Sequence, residues 1–408
     1  MEEPLIDRTT KSLRRPRWQF AVASGILGWI LDAYFFFILI FLLDALAARF
    51  AVSKVAIVWS ITVTLVTRPL GALVLGALAD RYGRRGPLVA CVLFFSIVSA
   101  FTPFAPSYRA FLFLRALYGV GMGGYWGIGA SLVIESSPGR WRGLFSGILQ
   151  AGYSAGYLLA AAAIPLVVPR YGWQWVFLGG LVLAAPIVFF AWLAPEPEAW
   201  RSNRPADFGA VAQALWEHKT TFIYLTALMA AITCFSHGSQ DLYPDFLRAV
   251  HGFSALATSN LAILYNLGAI LGALAIGHLS QKLGRRASIL AALGVALIAV
   301  PPWAFGSSVA ALAVGAFAMQ FGVQGVFGVI PAHLNELSPP AVRSLFPGVV
   351  YQLGMLAGAP SVGIEFALRR TFGYSWALAA FEVASIAALI LLCAFGPERK
   401  DRALGTAS

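Results

Sequence analysis

The sequence predicts an all-α membrane protein of twelve transmembrane helices in two pseudo-symmetric six-helix halves. Three observations predict it. Of 408 residues 59% are hydrophobic and only 12% charged, with mean hydropathy +0.76, where soluble domains carry about 25% charged residues. Apolar runs of roughly 20 residues, the length that crosses a hydrocarbon core, recur with short breaks. The motifs of the first half also return in the second at one fixed offset.

In chain order the runs fall at 18–46, 55–79, 87–103, 108–132, 143–165, 173–194, 220–248, 256–280, 287–305, 308–333, 344–368 and 374–396. The first carries Asp32 well inside it and Asp44 near its end, and the second carries Arg68. The fourth carries Arg115 in "RALYGVGMGG", and the seventh holds the polar stretch "CFSHGSQDLYPDFL". A linker near "APEPEAWRSNRPADFG" separates sixth from seventh. The expected organisation is therefore a tail at 1–17, halves at 18–194 and 220–396, a linker at 195–219, and a tail at 397–408.

The net charge of +11 needs sorting by loop, not a nucleic-acid partner. Most of the 29 Lys and Arg fall on one side: the amino-terminal tail, the loops with Arg81, Arg84 and Arg85, with Arg140 and Arg142, with Lys282, Arg285 and Arg286, and with Arg343, the linker, and the carboxyl tail. The positive-inside rule puts both termini in the cytoplasm of a cell (inner or plasma) membrane protein. The segment "MEEPLIDRTTKSLRRPRW" is polar and starts acidic, unlike a cleaved signal peptide, so the first helix is the expected insertion signal. Cys91, Cys234 and Cys393 are far apart with no CxxC pair, and buried free thiols are expected rather than a metal site. There is no Walker loop, no HExxH and no GxSxG on a strand-to-helix turn, so neither an enzyme nor a cofactor is expected.

"GALADRYGRR" (Gly76 to Arg85) is echoed by "GHLSQKLGRR" (Gly277 to Arg286), and "ESSPGRWR" (Glu135 to Arg142) by "ELSPPAVR" (Glu336 to Arg343). Trp175 and Trp376 follow, and every pair is offset by 201 residues. Two duplicated six-helix halves with a substrate between them is the architecture of alternating-access transporters. On these motifs, "GALADRYGRR" resembles the loop motif of the major facilitator superfamily, and "RALYGVGMGG" its helix-4 motif. The Ser-His-x-Ser-Gln-Asp motif of the seventh helix and "YQLG" (Tyr351 to Gly354) resemble the sialate/proton symporter family, particularly its fungal lactate and pyruvate permeases. That resemblance implies substrate-binding and proton-coupling roles for His237, Asp241, Arg115 and Gln352. The sequence departs from the pattern at Thr233 and Met355, where it has asparagine, at Asp245, where it has threonine, and at Phe35, where a second helix-1 aspartate stands.

Ionisable groups inside a membrane cost about 2.5–3.5 kcal/mol each on insertion scales and are kept where they face a cavity or partner. His237 and Asp241, four apart, stack on one helix face as a proton-accepting pair, with Ser236 and Gln240 in the adjacent stripe. Arg115 offers a carboxylate a bidentate fork, or a structural ion pair to Asp32 or Asp241. Arg68 either lines the cavity or locks to Glu135 or another acid. Asp80, Arg81, Arg84, Glu135, Arg142, Glu336 and Arg343 read as gate or orientation-locking ion pairs. Glu365 and Glu382 receive no role.

The reading is a monomeric importer of small organic acid anions such as lactate, with a proton as second partner and the bilayer as solvent. Arg115 clamps the carboxylate, and Gln352, Tyr351, Gln240 and Ser236 supply hydrogen bonds. His237, Asp241 and Asp32 are the candidates for proton coupling. A sugar-acid transporter, a drug exporter and a nutrient sensor are the alternatives.

Overall fold

A computed structural model describes residues 18–205 and 207–399; the tail expected at 1–17 and most of that at 397–408 lie outside the described residues. The helices are α1 Trp18–Phe41, α2 Leu43–Phe50, α3 Lys54–Tyr82, α4 Arg85–Phe101, α5 Tyr108–Ser136, α6 Arg142–Tyr171 and α7 Gln174–Leu193 in the first half. Two short linker helices follow, α8 Glu198–Ser202 and α9 Phe208–Glu217. The second half holds α10 Lys219–Gln240, α11 Tyr243–His251, α12 Ala255–Leu283, α13 Arg285–Phe305, α14 Val309–Leu337, α15 Leu345–Gly358, α16 Ser361–Phe372 and α17 Tyr374–Phe395. Among them are 12 spans long and apolar enough to cross a membrane, α10 with α11 and α15 with α16 each forming one. The protein is a multi-pass membrane protein.

Three expected spans are broken rather than continuous. The first turns at Leu42, whose N–H is shared between the Ile38 and Leu39 carbonyls. The seventh breaks at Asp241 and Leu242, because Pro244 has no N–H to give and its ring crowds the carbonyl four residues back. The eleventh breaks at Ala359 and Pro360 for the same reason. The linker is partly helical, with the Asp207 carboxylate capping α9 by accepting the Ala210 N–H.

The 201-residue repeat extends to the caps. Ser53 and Ser254 cap α3 and α12, and Ser107 and Ser308 cap α5 and α14, each accepting the N–H three residues on. Left-handed helix ends recur at Ala51 and Gly252. The serine caps are thus the same in both halves, while the left-handed end is an alanine in one and a glycine in the other.

The halves meet where α6 crosses α12 and where α3 and α5 cross α15. Small residues permit this closeness: a Cβ on Gly147 of α6 would strike the Ala273 carbonyl of α12. Ser146 donates to the Gly328 carbonyl at 2.7 Å, and the Ser131 and Ser344 hydroxyls lie 2.8 Å apart. Among the described residues, these polar bonds between halves lie at mid-membrane or toward the face bearing the Gly76–Arg85 motif. Toward the opposite face, the side chains of His237 and Asp241 are 31% and 34% exposed. The cleft between the halves is crossed by hydrogen bonds at the motif face, while at the other face the His237–Asp241 strip stays partly exposed.

Candidate functional site

The floor of the cleft is built from both halves. Tyr351 of α15 stacks on Trp126 of α5 with ring centroids 3.9 Å apart, and Gln150 of α6 donates to the Tyr351 hydroxyl at 3.4 Å. Gln150 and Tyr351 are themselves 201 residues apart, so equivalent positions of the two halves meet on the pseudo-twofold axis. Gln352 donates to the Gly123 carbonyl at 3.4 Å. The side-chain carbonyl oxygens of Gln150 and Gln352 and the Trp126 indole nitrogen have no protein partner, which leaves hydrogen-bonding capacity buried at the floor.

Beside the floor lies a charged cluster carried by the first half. Asp32 of α1 is fully buried, and the Tyr118 hydroxyl donates to its backbone carbonyl at 2.8 Å and approaches Oδ1 at 3.3 Å. Arg68 and Arg115 both lie within electrostatic reach of that carboxylate. The alternative ion pair of Arg115 is not formed: among the described residues neither Asp32 nor Asp241 comes within 4.0 Å of it. Its guanidinium packs 4.2 Å over the Tyr118 ring instead, and none of its nitrogens has a hydrogen-bond partner. Arg115 is also fully buried, so it does not line the open cleft. Arg68 comes nearer: only its Nε is closed off from both solvent and partner, and it lies within electrostatic reach of Tyr153 and Tyr351. The alternative lock to Glu135 is not formed, because Glu135 is taken by other arginines.

At the mouth, α10 presents the polar strip. His237 Nδ1 lies 2.7 Å from Asp241 Oδ2, Gln240 donates to the Ser236 hydroxyl at 3.3 Å, and Gln320 of α14 donates to Ser239 at 3.0 Å. No bond or ion pair among the described residues joins this strip to Arg115. Thr233 and Met355, two of the departures from the symporter pattern, touch each other, with Thr233 Oγ1 3.3 Å from Met355 Sδ. Phe35 packs edge-on against Phe95 and Tyr118. Asp245 accepts from Arg369 at 3.0 Å and from the Tyr374 hydroxyl at 2.8 Å, pinning α11 to α16 and α17.

The sequence profile of the Major Facilitator Superfamily matches residues 25–361. The chain belongs to that superfamily. It is 28% identical over 387 residues to a carboxylic acid transporter protein homolog of Saccharomyces cerevisiae, covering 86% of this chain but 62% of that protein's length. It is 25% identical to the sialic acid transporter NanX of Escherichia coli, covering 93% of this chain and 94% of that one. The fold is similar to that of the proton:xylose symporter XylE, with TM-score 0.74, 17% identity, and 95% and 98% of the two chains covered. The superfamily and these relatives place the chain among transporters rather than enzymes.

In this facilitator the motif face is held by a twofold set of bonds, buried at the arginine–glutamate pairs and partly exposed toward Glu196 and Glu398. Within the first half, Arg84 donates to Glu135 by two bonds of 3.1 Å and pairs with Asp80, while Glu196 accepts the backbone N–H groups of Arg84 and Arg85 at 2.8 and 3.1 Å. The second half repeats it. Arg285 donates to Glu336 at 2.9 and 2.7 Å, and Glu398 accepts the N–H groups of Arg285 and Arg286 at 2.9 and 2.8 Å. Between the halves, Asp80 accepts the N–H groups of Ser344 and Leu345 at 2.9 Å each, at the start of α15. Gln281, its equivalent, accepts the Gly143 N–H at 3.1 Å. Arg343 lies 3.9 Å from Glu135 and Arg142 3.8 Å from Glu336. Arg81, expected in this network, stands outside it. Its guanidinium lies 5.5 Å from the Tyr82 ring, with no ion pair among the described residues.

Sequence reasoning missed Tyr118, Trp126, Gln150, Gln281, Arg285, Glu196 and Glu398. The repeat held a signal for three of them. Subtracting 201 from Tyr351 gives Gln150, and adding it to Asp80 and Arg84 gives Gln281 and Arg285.

Proposed function

We propose that this facilitator is a proton-coupled symporter that imports small carboxylates of the lactate and pyruvate kind by alternating access. The carrying observation is a buried acid, Asp32, flanked by two arginines without ion pairs, beside a cleft crossed by hydrogen bonds at one face and partly exposed at the other. A carboxylate entering that cleft meets Arg68 first, with Arg115 behind it supplying charge through a water-poor interior where attraction is strong. Gln352 and Gln150 hold free acceptors at the floor for a substrate hydroxyl, and Tyr351 forms the platform. The His237–Asp241 pair at the mouth takes the proton. With both termini cytoplasmic, the open face is external.

Energetics favour symport. Moving a monovalent anion inward against a negative-inside potential costs about 2.3 kcal/mol per 100 mV, and a proton travelling with it cancels that cost. The yeast and bacterial relatives support an acid substrate, and the sialic acid relative makes a sugar acid the second reading.

The purified chain in liposomes, given a pH gradient, tests this. Lactate or pyruvate is expected to accumulate with co-ordinated lumen acidification, and His237→Ala or Asp241→Asn to impair gradient-driven uptake more than exchange between equal pools. Uptake of sialate alone selects the second reading, and accumulation without proton movement rejects symport.

A further inference from the structure

Two buried acids in the second half lie outside the site described above. Glu365 of α16 and Glu382 of α17 are fully buried within membrane spans, and none of their four carboxylate oxygens has a hydrogen-bond donor. They lie within electrostatic reach of each other, and Glu365 is also within reach of Asp241. The helices packed against α17, which carries Glu382, are α10, α13, α16 and, at its start, α11, whose Asp245 is held by Arg369 and Tyr374. From α10 come Cys234, within reach of Glu382, and Gly238, whose absent side chain leaves the α10 backbone directly over Glu382 Oε1. From α16 comes Glu365, and from the start of α17 Tyr374, near Glu365. The α13 arginines Arg285 and Arg286 are engaged at the motif face. The cation closest in sequence, Arg369, turns away to Asp245.

Two carboxylates without a cation or a donor cannot both rest as anions in such a setting. We propose that Glu365 and Glu382 form a proton-binding site of the second half, loaded from the open cleft through the His237–Asp241 pair. A proton taken from water by that pair passes to a Glu365 carboxylate oxygen, forming an O–H, and from there to Glu382. The mouth pair regains its starting state, and no electrons or heavy atoms are exchanged. Unloading requires α10 to move off Glu382, which ties proton release to closure of the cleft. This rests on the symport reading above, but occupancy of the site can be read without transport.

The test is infrared difference spectroscopy of the reconstituted full chain between acid and alkaline buffer, in wild type, Glu365→Gln and Glu382→Gln. Glu382→Met serves if the glutamine amide is poorly accommodated. The wild type is expected to show a buried carboxylic-acid carbonyl band that titrates, and each variant to lose part of it. Gradient-driven accumulation in the variants is expected to fall by about tenfold per pH unit of gradient, one proton's worth, while exchange persists. A band unchanged in both variants overturns the proposal. So does a titrating band that is lost while a wild type that does accumulate substrate on a pH gradient is matched by the variants, which would mark an acid that titrates outside the transport cycle. If wild type shows no proton-driven uptake yet the band titrates and the variants lose it, the symport reading fails and the proton site stands.

Discussion

Arg115 makes no ion pair among the described residues: its guanidinium is held over the Tyr118 ring while Tyr118 bonds to Asp32, the carboxylate within its electrostatic reach. A flat guanidinium spreads its charge across a ring face, and a compact ammonium does not. Arg115→Lys is therefore expected to lose most uptake although the charge is kept; near-normal initial rates at normal surface expression would remove Arg115 from the transport cycle. Asp32 balances Arg115 and Arg68 together. Asp32→Asn leaves two buried cations without the carboxylate that lies within electrostatic reach of both, so thermal unfolding in detergent should come clearly earlier. A carboxylate substrate should restore part of the loss by supplying the missing charge. A melting temperature equal to wild type, with or without substrate, would show that Asp32 is not the counterion.

At the scale of the element, the halves differ at one helix end. Ala51 takes the left-handed conformation at the end of α2 with φ 51°, where its repeat equivalent is Gly252. An L residue there is strained by roughly 1–2 kcal/mol, partly offset by the unfolded-chain freedom that glycine adds. Ala51→Gly is expected to raise the unfolding temperature slightly and leave transport unchanged. A lower melting temperature would contradict this account. The broken spans follow the same local logic: Pro244 and Pro360 place the breaks in the seventh and eleventh spans, so that Asp241 falls at a helix end rather than inside a continuous helix.

For the whole molecule, the motif face is shut by bonds of unequal character. Asp80 brings a negative charge to the start of α15, where the helix dipole favours it, while Gln281 brings only a neutral amide to the start of α6. Asp80→Asn should then weaken closure more than any change at Gln281, shifting the population toward a form open on the motif face. Cysteine labelling at Ser344, which is buried behind Asp80 in the closed form, checks it: faster labelling in the Asp80→Asn background is expected, and an unchanged rate would place the closing energy elsewhere.

Hydropathy and the 201-residue repeat by themselves determined the class, the span count and the pairing of motifs, because both are written in local composition and in distances along the chain. The i, i+4 contact of His237 with Asp241 was legible for the same reason, being fixed by helix geometry alone. Tertiary structure decided what depends on how each helix is rotated against neighbours far away in sequence. It put Arg68 rather than Arg115 at the cleft, gave Glu135 to Arg84 and Arg343, and left Arg81 beside a tyrosine. It also brought Gln150 onto Tyr351 and set Glu382 against the bare backbone of Gly238. A span apolar on nearly every face carries little periodic signal of its own orientation. Which polar side chains meet is settled only when small residues such as Gly147 let particular helices cross, and burial then leaves each charge with the partners that crossing supplies.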